Sequence, residues 1–175
     1  LDFGTTTYTE KTRAVIKVQD GCDRFCSYRI IPYARGRVRS RKPEAVLAEI
    51  RQIAEKGVKE VVITGIHVAS YGKDLDKPDG LISLLEAIQK IDGIERIRLG
   101  SLEPTLITEA FVKRLQKLDK ICDQFHLSLQ SGCDETLARM NRKYTTKEFM
   151  EGTERLKKAF PEVSLTTDII VGFPG

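Results

Sequence analysis

Apolar and polar residues take turns in "TRAVIKV" (12–18), the period of a half-buried strand. After Pro43 the spacing lengthens. Val46, Leu47, Ile50 and Ile53 share one helical face, with Pro43 near the first helical position and Gly57 as a stop. "KEVVITG" (59–65) is a short apolar run ending in glycine and predicts a buried second strand. Helical spacing returns in "LISLLEAIQKI" (81–91), and "IERIRLGS" (94–101) predicts a third strand. "TEAFVKRLQKL" (108–118) predicts a third helix, with Thr108 as its N-cap. "QFHLSLQSG" (124–132) predicts a fourth strand and "DETLARM" (134–140) one or two helical turns. Residues 145–160 predict another helix, in which Thr145 and Glu148 have the spacing of a capping box. "VSLTTDIIVGFPG" (163–175) predicts a fifth strand.

Strands that alternate with helices argue for a parallel sheet joined by right-handed crossovers. The fold class is therefore α/β, closing as a full or partial barrel or lying open as a doubly wound sheet. A length of 175 residues suffices for one domain with a sizeable core, and 41% hydrophobic with 31% charged residues is ordinary for a soluble globular chain. No apolar run approaches the roughly 20 residues of a membrane span. The polar start, "LDFGTTTYTEKTRA", lacks the apolar centre of a secretory leader. A cytoplasmic location is the expectation, with the four cysteines as thiols or metal ligands rather than a disulfide framework.

The net charge of +4 is mild, but its distribution is uneven. Arg24, Arg29, Arg35, Arg37, Arg39, Arg41 and Lys42 crowd one segment, "QDGCDRFCSYRIIPYARGRVRSR" and the residue after it. Such a cluster is either a solvated face or an anion-binding one. If the segment is extended, Arg35, Arg37, Arg39 and Arg41 point to one side and line a phosphate track.

Ligands of parallel α/β folds gather at the C-terminal ends of strands. Those ends carry Gln19, Asp20, Gly21, Cys22 and Cys26; then Thr64, Gly65, His67 and Ser70; then Ser101 and Glu103. The fourth strand ends in Ser128, Gln130, Ser131 and Gly132, and the fifth carries Thr166, Thr167 and Asp168. Polar groups at all five ends predict a site. No Ser/His/Asp arrangement is readable, and neither His67 nor His126 has metal-motif spacing. His126 reads as a hydrogen-bonded core histidine, and His67 as a loop residue able to touch a ligand.

The segment "GCDRFCSYRIIPYARGRVRSR" resembles the cluster loop of radical S-adenosylmethionine (SAM) enzymes. With "VVITGIHVASYG", "RLGSLEP", "FHLSLQSGCDETLARMNRKYTT" and "LTTDIIVGFPG", in that order, the chain resembles the tRNA methylthiotransferases over residues 12–175. The closest branch acts on N6-threonylcarbamoyladenosine in tRNA. The resemblance implies a partial (β/α)6 TIM-like barrel, here truncated after the fifth strand, with residues 1–11 as a linker. It also implies that an N-terminal cluster domain and a C-terminal RNA-binding domain lie outside this chain. The implied cofactors are a [4Fe-4S] cluster and SAM, and the implied partners are tRNA and an electron donor, with no membrane. The implied reaction inserts a methylthio group at C2 of the adenine.

The family loop reads Cys-x3-Cys-x2-Cys. Cys22 and Cys26 match its first two ligands, and Arg29 stands at the third. A guanidinium has no free lone pair and stays protonated, so it does not replace a thiolate. Of the other cysteines, Cys133 follows the fourth strand on the site's side and Cys122 precedes it at the opposite end. The expectation is a cofactor loop that holds its cluster poorly or not at all, and a chain that is itself inactive.

By resemblance, Thr64 and Gly65 lie near SAM, or simply form a tight turn. Glu103 contacts SAM's polar end, or is a solvated loop acid. Gln130 and Ser131 hydrogen-bond SAM, or tie neighbouring strands. Arg142 takes the SAM carboxylate, with Arg139 as competitor, because arginine matches a carboxylate bidentately. Asp168 contacts the ribose or amino group, or is a buried paired acid. Phe25, Tyr28 and Tyr33 cover the cluster, stack on a base, or pack the loop. Two rival readings remain open: a noncatalytic RNA-binding module on the same scaffold, and a metal-independent barrel enzyme.

Overall fold

The computed structural model describes residues 12–77 and 79–175; the linker expected at residues 1–11 lies outside them. Twelve labelled elements follow along the chain. They are β1 (Arg13–Asp20), α1 (Ile31–Arg35), β2 (Arg39–Ser40), α2 (Pro43–Glu55), β3 (Glu60–Gly65), α3 (Gly80–Ile88), β4 (Arg96–Leu99), α4 (Glu109–Leu115), β5 (Gln124–His126), α5 (Asp134–Arg139), α6 (Thr146–Ala159) and β6 (Ser164–Thr166). Short 3-10 turns at Val68–Ser70, Lys73–Leu75 and Pro104–Leu106 punctuate the loops.

β1, β3 and β4 pair in parallel, and β2 lies antiparallel on the outer side of β1. β5 and β6 form a second parallel pair, and parallel bridges at Ile97–Ile121 and Leu102–Leu127 carry the β4 region across to β5. The five parallel strands thus follow chain order in one open arc, and β1 and β6 do not meet to close a barrel.

The arc encloses the core. Ala14, Ile16 and Val18 of β1 point inward on the period of two, and Val61 and Ile63 of β3 do the same. Val46, Ile50 and Ile53 of α2, spaced four and three apart, cover them from outside with α3 and α4. The helix starts follow the capping expectations. Pro43 takes the first turn of α2, where its missing N–H costs nothing. Thr108 Oγ1 accepts the Phe111 N–H at 3.2 Å, and Thr145 with Glu148 forms both halves of a capping box at α6.

Three readings need correction. Residues 35–41 do not form one extended face: Arg35 ends helix α1, Gly36 reverses the chain at φ +74°, and only Arg39 and Ser40 pair as strand. The fourth strand is regular only over Gln124–His126; past it Leu127 and Gln130 make isolated bridges, and Gln130 takes a left-handed φ of +72°. The fifth is regular only over Ser164–Thr166. Beyond it the strand pairing among the described residues is a single bridge at Gln130–Ile169, and Ile169 and Val171 are exposed.

Candidate active site at the strand ends

The rim is indexed at the end of β1. The pairing with β3 shifts between Lys17 and Gln19, a bulge that turns both Gln19 and Asp20 inward. Buried Gln19 donates to the carbonyls of Asp20 (2.6 Å) and Gly21 (2.7 Å) and accepts the His67 N–H at 2.8 Å. It therefore ties the first strand end to the second. Gly65 lies against it: a Cβ there would stand 2.8 Å from Gln19 Oε1.

Gly21, at φ +69°, opens the cysteine loop where a Cβ would fall 1.9 Å from the Arg37 carbonyl oxygen, so the position excludes any side chain. Cys22 N–H donates to the Gly36 carbonyl at 3.0 Å, which closes the loop on itself. The far side is fastened to the segment after α5. Ser27 N–H and Oγ donate to the carbonyls of Met140 and Arg139, and the Asn141 amide donates to that of Phe25. Asp20 anchors the return strand through Lys17, Arg35 and Arg39 at 3.2–3.5 Å. Burial pushes the Asp20 carboxyl up, but the Gly21 N–H and Lys17 outweigh it and hold the group below its usual range.

Both thiols are buried within this loop. Burial, with the nearby Cys26, pushes the Cys22 thiol up. Cys22 Sγ accepts the Arg24 N–H at 3.3 Å, and Cys26 Sγ faces Arg142 Nη1 at 3.3 Å. The Arg29 N–H donates to the Cys26 carbonyl at 3.2 Å, a turn that brings position 29 back beside Cys26. The Arg29 side chain is exposed and lies over the Tyr28 ring, 5.3 Å from its centroid.

Opposite the thiols stands Glu103, 4% exposed. Its Oε2 meets Arg24 (2.7 Å), Thr105 (3.1 Å) and His67 (3.2 Å), and its Oε1 faces Arg142 at 3.7 Å. Burial pushes its carboxyl up, but the hydrogen bond and charge of His67, with Arg24, reverse this and bring it down to about 2. The second nitrogen of His67 pairs with Ser70 Oγ at 2.5 Å. Arg142 lies over the Tyr144 ring at 4.8 Å and donates to its hydroxyl at 3.0 Å. Burial works against its charge, but Tyr144 and the Cys26 sulfur hold the guanidinium more firmly protonated than usual. The Tyr28 hydroxyl is buried and makes no well-formed hydrogen bond among the described residues; its close electrostatic neighbours include Arg142 and Cys26.

The structure thus brings Cys22, Cys26, Glu103 and Arg142 together. Arg142, not Arg139, reaches the thiols; Arg139 is exposed and meets Thr136. Thr64 is half-buried near Gly100. Gln130 and Ser131 are buried, and the Gln130 backbone pairs with Asp168 and Ile170 on the neighbouring strand. Asp168 is exposed and lies 3.4 Å from His126 Nε2, rather than with the Glu103 group. The four arginines are all paired: Arg35 and Arg39 with Asp20, Arg37 with Asp23, Arg41 with Glu49 at 2.6 Å. Sequence reasoning did not assign Arg24 or Tyr144 to the site, and gave His67 only as a strand-end loop residue able to touch a ligand. The only local signal was the position of His67 and Ser70 just beyond a strand end.

The profile of the radical SAM superfamily matches residues 16–175, and the chain belongs to that superfamily. Within it, the chain resembles tRNA-modifying members. It is 46% identical over 165 residues to the tRNA-2-methylthio-N(6)-dimethylallyladenosine synthase of Lachnoclostridium phytofermentans, covering 94% of this chain and 36% of that protein. It is 44% identical over 168 residues to the threonylcarbamoyladenosine tRNA methylthiotransferase MtaB of Bacillus subtilis, covering 96% and 37%. The chain therefore spans little more than a third of the length of these curated relatives. The fold matches the radical SAM methyltransferase TsrM of Kitasatospora setae, solved with cobalamin and a [4Fe-4S] cluster, at a TM-score of 0.71 and 21% identity; the match covers 93% of this chain and 31% of that one.

The superfamily's cofactors are a [4Fe-4S] cluster and SAM. A cluster held through three thiolates does not fit the donors present. Two sulfurs converge, the third position carries an exposed cation, and no group of three or more His, Cys, Asp or Glu among the described residues is placed to hold a metal ion. Cys133, exposed at the start of α5, joins no such group. Among the described residues, no helix is long and apolar enough to cross a membrane.

Proposed function

We propose that this chain is the SAM-binding radical core of a tRNA methylthiotransferase. Its parent reaction inserts a methylthio group at C2 of an N6-substituted adenosine in tRNA, in the cytoplasm, with N6-threonylcarbamoyladenosine as the substrate. With Arg29 at the third ligand position, the chain as it stands does not assemble the cluster and is inactive. The observation that supports this most is the convergence of Cys22, Cys26, Glu103 and Arg142 on one rim. Glu103 and Arg142 offer a carboxylate and a guanidinium side by side, the pair that suits the ammonium and carboxylate of an amino acid such as the methionyl end of SAM. The buried Tyr28 hydroxyl adds a donor there.

Anaerobic reconstitution of the chain and of Arg29→Cys tests the reading through iron content and charge-transfer absorbance. Arg29→Cys is expected to take up a full complement of iron and the unaltered chain little. A normal iron count in the unaltered chain removes the claim about Arg29. Equally low iron in both places the defect outside position 29. In the whole protein, tRNA carrying threonylcarbamoyl or dimethylallyl groups at N6 decides the substrate; product on the dimethylallyl substrate alone rejects the threonylcarbamoyl assignment.

A further inference from the structure

The outer lip of the cysteine loop has an unusual surface for its place. Phe25, Ile30 and Tyr33 are 46%, 70% and 75% exposed, and the two rings meet edge to face at 5.5 Å. With Tyr28 and Arg29 they line an open groove of about 510 Å³. Large apolar side chains gathered at a site mouth mark a contact surface rather than scattered exposure.

The surrounding charge indicates what makes that contact. Residues 19–42 hold seven cations against two carboxylates, Asp20 and Asp23. Arg39 and Arg41 are each held by several partners: Arg39 by Asp20 and the Arg35 and Arg37 carbonyls, Arg41 by the Lys17 carbonyl and Glu49. The loosely held charge lies at the lip instead. Arg29 forms no ion pair among the described residues, and Arg37, 84% exposed, meets Asp23 only at 3.6 Å. A loose exposed pair of this kind holds its partner weakly. Aromatic faces flanked by exposed guanidinium groups, Arg29 with no ion pair among the described residues and Arg37 with a loose one, suit a polyanion with flat rings, which is the chemistry of single-stranded RNA. An apolar protein face would leave these cations uncompensated.

We propose that Phe25, Ile30 and Tyr33, with Arg29 and Arg37, form a stacking platform for an unpaired base of a single-stranded RNA loop, and that it works without iron. This shifts the RNA contact from the arginine series 35–41 as a whole to the aromatic lip, keeping only Arg37 of that series. It deepens the proposed activity by naming the surface that would hold that reaction's RNA, and it needs neither the thiols nor SAM.

The test uses fluorescence anisotropy of a labelled single-stranded RNA of about ten nucleotides, with chelator present and SAM absent. Tyr33→Ala and Phe25→Ala are each expected to weaken binding about fivefold or more, with Tyr33→Phe retaining affinity. Arg29→Gln with Arg37→Gln is expected to flatten the dependence of log affinity on log salt by about 1.4, or roughly 0.7 for each phosphate contact. All four side chains are exposed, so an unchanged thermal melt confirms that each variant folds. RNA affinity that ignores both aromatic substitutions, or an equal response to heparin and to duplex RNA, overturns the platform and leaves charge alone. Self-association lost in Tyr33→Ala, without RNA binding, overturns it in favour of a protein contact. Iron content reads the thiols and this assay reads the lip, so either proposal can fail while the other stands.

Discussion

Replacing Glu103 by glutamine removes one negative charge from beneath Arg24, Arg142 and the His67 ring while keeping the side chain's shape. In the folded chain its carboxyl is lowered from 4.5 to about 2, and only 3% of the side chain meets water, so solvent screens little of the effect. At about 1.4 kcal/mol per pKa unit, the charged form contributes about 3 kcal/mol. Because the folded value lies below the unfolded one, this contribution is complete above about pH 4.5 and fades as pH falls towards 2. Glu103→Gln should therefore lose about 3 kcal/mol at pH 7, a fall in melting temperature of about 6–12 °C. Urea unfolding followed by circular dichroism should show the gap between the two proteins shrinking to about 2 kcal/mol near pH 3.5. A gap below about 0.5 kcal/mol at neutral pH, or one that widens on acidification, would show that Arg24, His67 and Arg142 do not act on this carboxylate as described.

Gly21→Ala should cost more than about 2 kcal/mol, because it adds left-handed strain to a backbone collision with Arg37; an unaltered denaturation midpoint would contradict the loop closure. Thr145→Ala should cost about 1 kcal/mol by opening the capping box of α6, while Thr145→Ser should restore most of it, as read by thermal melting.

The elements that cover the core are legible in the sequence because burial writes its own period. Val46, Ile50 and Ile53 announce α2, and Ala14, Ile16 and Val18 announce β1. The two-residue β2 and five-residue α1 are too short to carry a period, so the arginine segment reads as extended when it in fact turns at Gly36. The site is legible only in part. Cys22 and Cys26 stand in a local motif, but Arg24 and Glu103 are 79 residues apart, and His67 and Glu103 are 36 apart. Their meeting is a product of strand order. The left-handed turn at Gln130 is likewise invisible, since it falls on a residue that rarely adopts it.

The extra residue in β1 carries a lesson for anyone transplanting this loop. Side chains on a strand change sides with each step, so one residue added or removed between Lys17 and Gly21 would swing the entire rim through half a turn. A graft spliced at Gly21 onto a regular strand would point its sulfurs at the wrong side of the sheet, however faithfully its letters were copied. The portable unit therefore begins upstream, at Lys17, and includes the irregularity.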